Sequence, residues 1–274
     1  MLTRCESSRS NIKGGVGKTT TAVNLAYLCA AEGRATLLWD LDAQGGATYV
    51  LGGESQPDAS AKELLSGKRE PLELVLASGY PRLDLLPADF SYRNFPEHLA
   101  VRRNPAERLL RMSRTLGEIY EALILDCPAG ISLLSENVLR AADAVIVPLL
   151  PAPLSLRMLA QLYQFIAAEG WSDLTVLPFF SMVDRRRLLH RELVDSARER
   201  YPQILATEVP NWSEIERMSV RRAPLPASAP RSEAAQIYTA LWAEIRERMQ
   251  RSGPVGAARD AAAVSRGHVE PLRA

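Results

Sequence analysis

The stretch Ile12-Lys13-Gly14-Gly15-Val16-Gly17-Lys18-Thr19-Thr20 gathers the residue types that polyphosphate chemistry requires. Gly14, Gly15 and Gly17 carry no side chain that would hold the backbone away from an anion, so successive N–H groups can turn inward around phosphate oxygens. Lys18 supplies a point charge for β- and γ-phosphates, and Thr19 supplies a hydroxyl for magnesium. The apolar-periodic run that follows supplies a helix N-terminus whose dipole favours an anion. Gly14, Gly15, Val16, Gly17, Lys18, Thr19 and Thr20 therefore read as a cradle for a triphosphate. A plain glycine turn beside two surface lysines would leave this coincidence of types unexplained.

Two sets of acids stand at the ends of apolar runs. Ala35-Thr36-Leu37-Leu38-Trp39 closes on Asp40-Leu41-Asp42-Ala43-Gln44-Gly45-Gly46, and Ala122-Leu123-Ile124-Leu125 closes on Asp126-Cys127-Pro128-Ala129-Gly130. Acids in such places are solvated turn residues by default. At the carboxyl ends of buried strands, however, they lie where open α/β sheets bind ligands.

These residues must be positioned by a scaffold, and 274 residues suffice for one α/β domain with a sizeable core. A hydrophobic fraction of 47% and a charged fraction of 24% are ordinary for a globular chain, and a net charge of +1 points to no partner. Cys5, Cys29 and Cys127 lack metal-ligand spacing, which argues for a reducing compartment and against a disulfide framework or zinc site. No apolar run is long enough to span a membrane, and the first ten residues hold no secretory h-region, so cytoplasm is the expected location.

Helical spacing runs from Thr19 to Glu32 and stops at Gly33. Ala61 to Leu65 reads as a helical turn or two, and Leu83 to Pro87 as a strand. Pro105 to Tyr120 has helical periodicity through Leu109, Leu110, Leu116 and Ile119. Ala144 to Pro148 is an all-apolar strand, and Leu154 to Ala168 a helix turning Leu159, Leu162, Phe165 and Ile166 inward. Leu174 to Phe180 makes a further strand, and Ser232 to Met249 a closing helix. This alternation predicts a doubly wound, mostly parallel sheet flanked by helices. A strand should precede the glycine turn, yet Met1 to Ser10 is polar, with Arg4, Glu6 and Arg9 costly to bury. Either that strand is degraded, or the true start lies upstream, or the frame shifts before Asn11. From residue 251 onward Gly, Ala, Arg and Pro dominate without period, as in a disordered tail. The expected domains are an irregular segment 1–10, a nucleotide-binding domain 11–250 and the tail 251–274.

Lys13 ahead of the glycines resembles the deviant Walker A box, x-K-G-G-x-x-K-S/T, of the ParA/MinD superfamily of dimeric P-loop ATPases, and is closest to its ParA-type partitioning members. Asp40 to Gly45 resembles that family's D-x-D-x-Q-G box, and Asp126 ends a Walker B-like strand. Ile12 replaces the glycine of the strict P-loop pattern, and Asp126-Cys127-Pro128-Ala129 replaces the usual Asp-x-Pro-Pro. The resemblance covers residues 11 to 249. It implies ATP and Mg2+ as cofactors, with Thr19, Asp40 and Asp126 around the metal and Lys18 on the phosphates. It further implies that Asp42 orients the attacking water and that Lys13 crosses an ATP-dependent homodimer to the other subunit's phosphates. Val209-Pro210-Asn211 resembles the segment that packs against adenine. Ser181 stands where many members carry a base-reading asparagine.

Two basic groups remain: Arg185, Arg186 and Arg187, with His190, Arg191, Arg198 and Arg200 beyond, and then Arg217, Arg221 and Arg222. Glu192, Asp195, Glu199, Glu214 and Glu216 dilute them, so composition alone favours a solvated face as much as a nucleic-acid surface. The resemblance implies non-specific DNA binding through arginines in these regions, although a second family arginine aligns with Glu214. It also implies slow hydrolysis stimulated by a ParB-like or cargo-adaptor protein, in the service of positioning plasmid, chromosome or protein cargo. A MinD-like membrane ATPase should end in an amphipathic helix, which the tail from Gly253 to Ala274 lacks the bulky apolar residues to form. An inert nucleotide-binding scaffold with a broken first strand is the other alternative. The three cysteines offer no matching pair for an iron–sulfur relative.

Overall fold

Apolar runs of five or six residues, buried along their whole length, form the central strands β1 (Thr36–Asp40), β4 (Ala122–Asp126) and β5 (Ala144–Leu149). The computed structural model describes residues 15–54, 60–101, 105–128 and 132–251. The other strands are β2 (Leu76–Tyr80), β3 (Leu83–Leu86), β6 (Thr175–Val183) and β7 (Val209–Pro210). They run in the orders β2-β3-β1-β4 and β5-β6-β7. Among the described residues, every pairing is parallel except β2 with β3. The sheet is thus the mostly parallel one that the sequence implies.

Strand pleating explains why helices cover both faces. Leu38 and Ile146 enter one core with α1 (Lys18–Ala31) and α11 (Glu233–Arg251). Their neighbours Leu37 and Trp39 enter a second core, with α3 (Ala61–Ser66), α4 (Phe95–Ala100) and α5 (Pro105–Gly117). Val145 and Val147 enter a third, with α7 (Pro153–Ala168) and α8 (Leu188–Arg200). Successive side chains point to opposite faces, so strands buried on both need apolar residues at every position. The remaining helices are α2 (Gly46–Val50), α6 (Leu133–Ala141), α9 (Ser213–Arg221) and α10 (Leu225–Ser228). Helix α1 packs Ala22, Val23, Leu25 and Ala26 into the core that contains residues of both strand groups, Leu38 and Ile124 from one and Ile146 and Phe179 from the other.

The differences from the sequence reading are local. Strand β2 was not expected; it exposes alternate residues, as an edge strand does, and meets β3 through a turn in which Arg82 has φ 60. Helix α5 ends at Gly117, so Ile119 lies beyond it and is 55% exposed, whereas Leu109, Met112 and Leu116 are buried. Phe165 is only partly buried and packs edge-on against Trp171. Helix α11 extends to Arg251. The readings made for residues 1–10 and for the tail from 252 onward lie outside the described residues. Among those described, no helix is long and apolar enough to cross a membrane.

One buried polar residue fastens the C-terminal helices to α1. Asn24 has no exposed surface; its Oδ1 accepts the Leu225 N–H at 2.8 Å, and its Nδ2 donates to the Thr20 carbonyl at 2.7 Å and meets Met218 Sδ at 3.3 Å. Asn24→Ala would leave the Leu225 N–H without a partner, a cost of about 1–3 kcal/mol. Thermal unfolding followed by circular dichroism should show the melting temperature falling by about 2–4 °C per kcal/mol. An unchanged melting temperature would mean that water replaces the amide without penalty.

Candidate functional site

Gly15 and Gly17 adopt φ of 105° and 84°, conformations that favour glycine, and Gly17 caps the start of α1. Space gives Gly17 a second reason, because a Cβ there would approach the buried Ser181 Oγ to 3.2 Å. The first turn of α1, with Lys18, Thr19 and Thr20, contains no acidic residue. Its N–H groups and dipole therefore remain available to an external anion. Lys13 and Gly14 lie outside the described residues.

Opposite this turn, two carboxylates meet. β1 and β4 pair in a register that sets Asp40 beside Asp126 at their carboxyl ends, and the Leu41 N–H continues the ladder to the Asp126 carbonyl at 2.8 Å. Both acids are buried. Burial raises the Asp126 carboxyl well above its usual range, and the neighbouring Asp40 charge raises it further; Thr19 and Lys18 act in the other direction. Asp40 is raised by burial too, against hydrogen bonds from Thr48 and the Asp42 backbone. Asp126 Oδ2 has no hydrogen-bond partner. A buried acceptor left unsatisfied beside a like charge is costly, and a divalent cation would relieve both penalties. The residues present thus fit magnesium, with Thr19, Asp40 and Asp126 as the groups that could hold it.

Asp40 is fixed by a relay that the sequence did not reveal. Thr48 on α2 donates its N–H and its hydroxyl to Asp40 Oδ2, each at 2.8 Å, and its hydroxyl oxygen accepts the Ala88 N–H at 2.8 Å. Asp40 Oδ1 accepts the Asp42 N–H at 3.1 Å. Asp42 is half-buried, and its carboxylate accepts the Gln44 N–H at 3.0 Å. Gly46 lets α2 approach α1, since a Cβ there would come within 3.0 Å of Thr19 Cγ2. A small polar residue inside a glycine-rich turn carries no sequence signal for such a role.

A cavity of ≈ 500 Å³ runs from Gly15, Gly17 and Thr19 to Pro210 and Asn211. It brings the glycine turn together with a segment some 190 residues later in sequence. Ser181 and Met182 line it as well. Met182 has φ 57 and sits where the β6–β7 register shifts, so β6 bulges at the cavity wall. Cys127 is buried, as a small filler would be.

The arginines of the two basic groups divide. Arg185 pairs with Glu208 through two hydrogen bonds of 3.0 and 2.6 Å, and Arg198 holds the same carboxylate at 2.8 Å. Arg186 is 91% exposed and pairs with Asp184 on its own loop, which lowers the Asp184 carboxyl. Arg187, Arg217 and Arg221 are exposed. Arg222 lies against Tyr49 of α2.

An open parallel sheet whose strand ends present acids to a glycine-capped helix is the architecture of a P-loop nucleotide-binding protein. Comparison narrows the class. A family model described as an AAA domain matches residues 8–169. The chromosome partitioning protein ParA of Myxococcus xanthus is 32% identical over 245 residues, 87% of each chain. The sporulation initiation inhibitor protein Soj of Bacillus subtilis is 28% identical over 242 residues, 86% of this chain and 96% of that one. A Mycobacterium smegmatis structure titled cobyrinic acid a,c-diamide synthase, solved with an ATP analog and magnesium, superposes with a TM-score of 0.75 at 27% identity, covering 93% of this chain and 98% of the other. The chain belongs to the ParA/MinD superfamily of P-loop ATPases.

Above about pH 8, where Asp126 is ionised, Asp126→Asn removes a buried charge that repels Asp40 while keeping an acceptor for Thr19. The ligand-free variant should therefore melt several degrees higher than the wild type, with about 2–4 °C expected per kcal/mol. Magnesium added with a nucleoside triphosphate should stabilise the wild type much more than the variant, as scanning calorimetry would reveal. A lower ligand-free melting temperature, or an equal ligand increment, would contradict the assignment.

Proposed function

We propose that this chain is a ParA-type ATPase that dimerises on ATP, binds DNA without sequence preference and hydrolyses ATP slowly to segregate or position a plasmid, chromosome or protein cargo. The observation that carries the reading is the buried Asp40–Asp126 pair, with one oxygen unsatisfied, facing Thr19 at a glycine-capped helix N-terminus. Support comes from relatives named for chromosome partitioning and from the structure solved with an ATP analog and magnesium.

In this reading residues 11–250 form the ATPase domain. The backbone from Gly14 to Thr20 grips the triphosphate, and Lys18 places its charge on the β- and γ-phosphates. Magnesium, when bound by Thr19, Asp40 and Asp126, neutralises charge on the phosphate oxygens. The half-buried Asp42 carboxylate, held by the Gln44 N–H, orients the attacking water. Pro210 and Asn211 pack against the base. Lys13 of each subunit reaches the phosphates held by the other, so hydrolysis waits on dimerisation. A ParB-like or cargo-adaptor protein then accelerates turnover, in the cytoplasm and on the nucleoid. DNA phosphates are contacted by Arg186, Arg187, Arg217 and Arg221, which face solvent. Arg185 would first have to leave Glu208.

Lys13→Ala separates binding from turnover. The variant should bind magnesium ATP within about threefold of wild type and lose about 10²–10³-fold in partner-stimulated hydrolysis, the scale for removing one transition-state donor. Full turnover in this variant would remove the trans role. A wild-type protein that sediments as a monomer with magnesium ATP and gives no heat on mixing would overturn the whole reading.

A further inference from the structure

Arg222 follows the last turn of α9 with φ 49, a left-handed conformation that costs a residue bearing a side chain. What it gains is a fixed position on α2. Its guanidinium carbon lies 4.6 Å from the centroid of the Tyr49 ring, and its Nε donates to the Tyr49 carbonyl at 3.0 Å. Helix α2 has only five residues, too few to hold itself together without tertiary contacts. Tyr49 follows Thr48, the residue that gives Asp40 an N–H and a hydroxyl. Helix α9 is tied in turn to α1 through Asn24 and Met218. Arg222 thus closes a ring of three elements, α1, α9 and α2, around the nucleotide cavity.

We propose that Arg222 is a positioning residue for the Asp40 carboxylate, clamping α2 through Tyr49 so that Thr48 keeps Asp40 in place, and is not a contact for DNA phosphate. The proposal rests on the reading of Asp40 as part of the magnesium shell. Tyr49 is 52% exposed, so the stack is a surface one, and together with its hydrogen bond it holds α2 against opening by about 10-fold.

Arg222→Lys discriminates between the two roles, because lysine keeps the charge a phosphate needs and loses the plane and fork that the clamp needs. In hydrogen–deuterium exchange on the full chain without nucleotide, this variant should exchange residues 46–50 about 10-fold faster, with α11 unchanged. Tyr49→Leu should do the same, and the double variant should add little to either single one. Tyr49→Phe keeps the ring and the carbonyl, so protection should persist. With magnesium ATP, Arg222→Lys should lose about 3- to 10-fold in kcat with KM within about twofold, while retention on DNA and its salt dependence stay at wild-type values. Wild-type exchange at 46–50 in Arg222→Lys overturns the clamp whatever the kinetics show. Should the wild type neither hydrolyse ATP nor bind DNA, the functional reading fails, and the exchange result still decides the clamp.

Discussion

Two carboxylates removed from water and set side by side repel each other, and the architecture of the cation-facing end of this sheet follows from that repulsion. Asp40 is compensated by Thr48 and by the Asp42 N–H. Asp126 keeps one oxygen unsatisfied. Burial and mutual repulsion raise both carboxyls, so the ligand-free chain favours holding a proton here, and a bound cation would displace it. Around this pair Gly46 stays small because a Cβ there would come to 3.0 Å from Thr19 Cγ2, and α1 opens without an acid.

Holding that pair in place requires rigid neighbours. Each central strand is buried on both faces, which fixes where its last residue emerges, and α1 contributes to the core shared by both strand groups. Helix α9 then lines the cavity with Ile215 and Met218 while presenting Arg217 and Arg221 to solvent. One short helix thereby has a face toward the nucleotide cavity and another toward the outside.

Most of the fold was legible because buried parallel strands read as unbroken apolar runs and their helices as a 3.6-residue period. Strand β2 escaped because Leu76-Ala77-Ser78-Gly79-Tyr80 is a half-exposed edge strand containing a glycine, and its pairing depends on the turn at Arg82. Ile119 fitted the helical period, yet the helix ends before it, and periodicity does not mark where a helix stops. At the candidate site, type and spacing single out Gly15, Gly17, Thr19, Asp40 and Asp126, and the structure brings Thr19, Asp40 and Asp126 together. They do not single out Thr48, Ala88 and Met182, since a hydroxyl, a backbone N–H and a strand bulge act through geometry that no residue type announces.

The arginines show the same limit more sharply. Counted in sequence they form two basic groups, but Arg185 and Arg198 share Glu208, whose side chain is 10% exposed, and Arg222 is spent on Tyr49. Arginines held in such pairs must give up a partner before they can contact a phosphate. With Arg187, Arg217 and Arg221 left, and Arg186 able to join them on leaving the exposed pair with Asp184, one subunit would release about three to four counterions from DNA, and the logarithm of affinity would fall with that of salt at a slope of about −0.9 for each. That is a weak grip for a monomer. In the proposed dimer two such surfaces would act on one duplex, and the second would bind at the high effective concentration set by the first. ATP-dependent pairing could then switch DNA binding from weak to tight without altering either surface, which is a sufficient physical reason for a nucleotide to glue the two copies together.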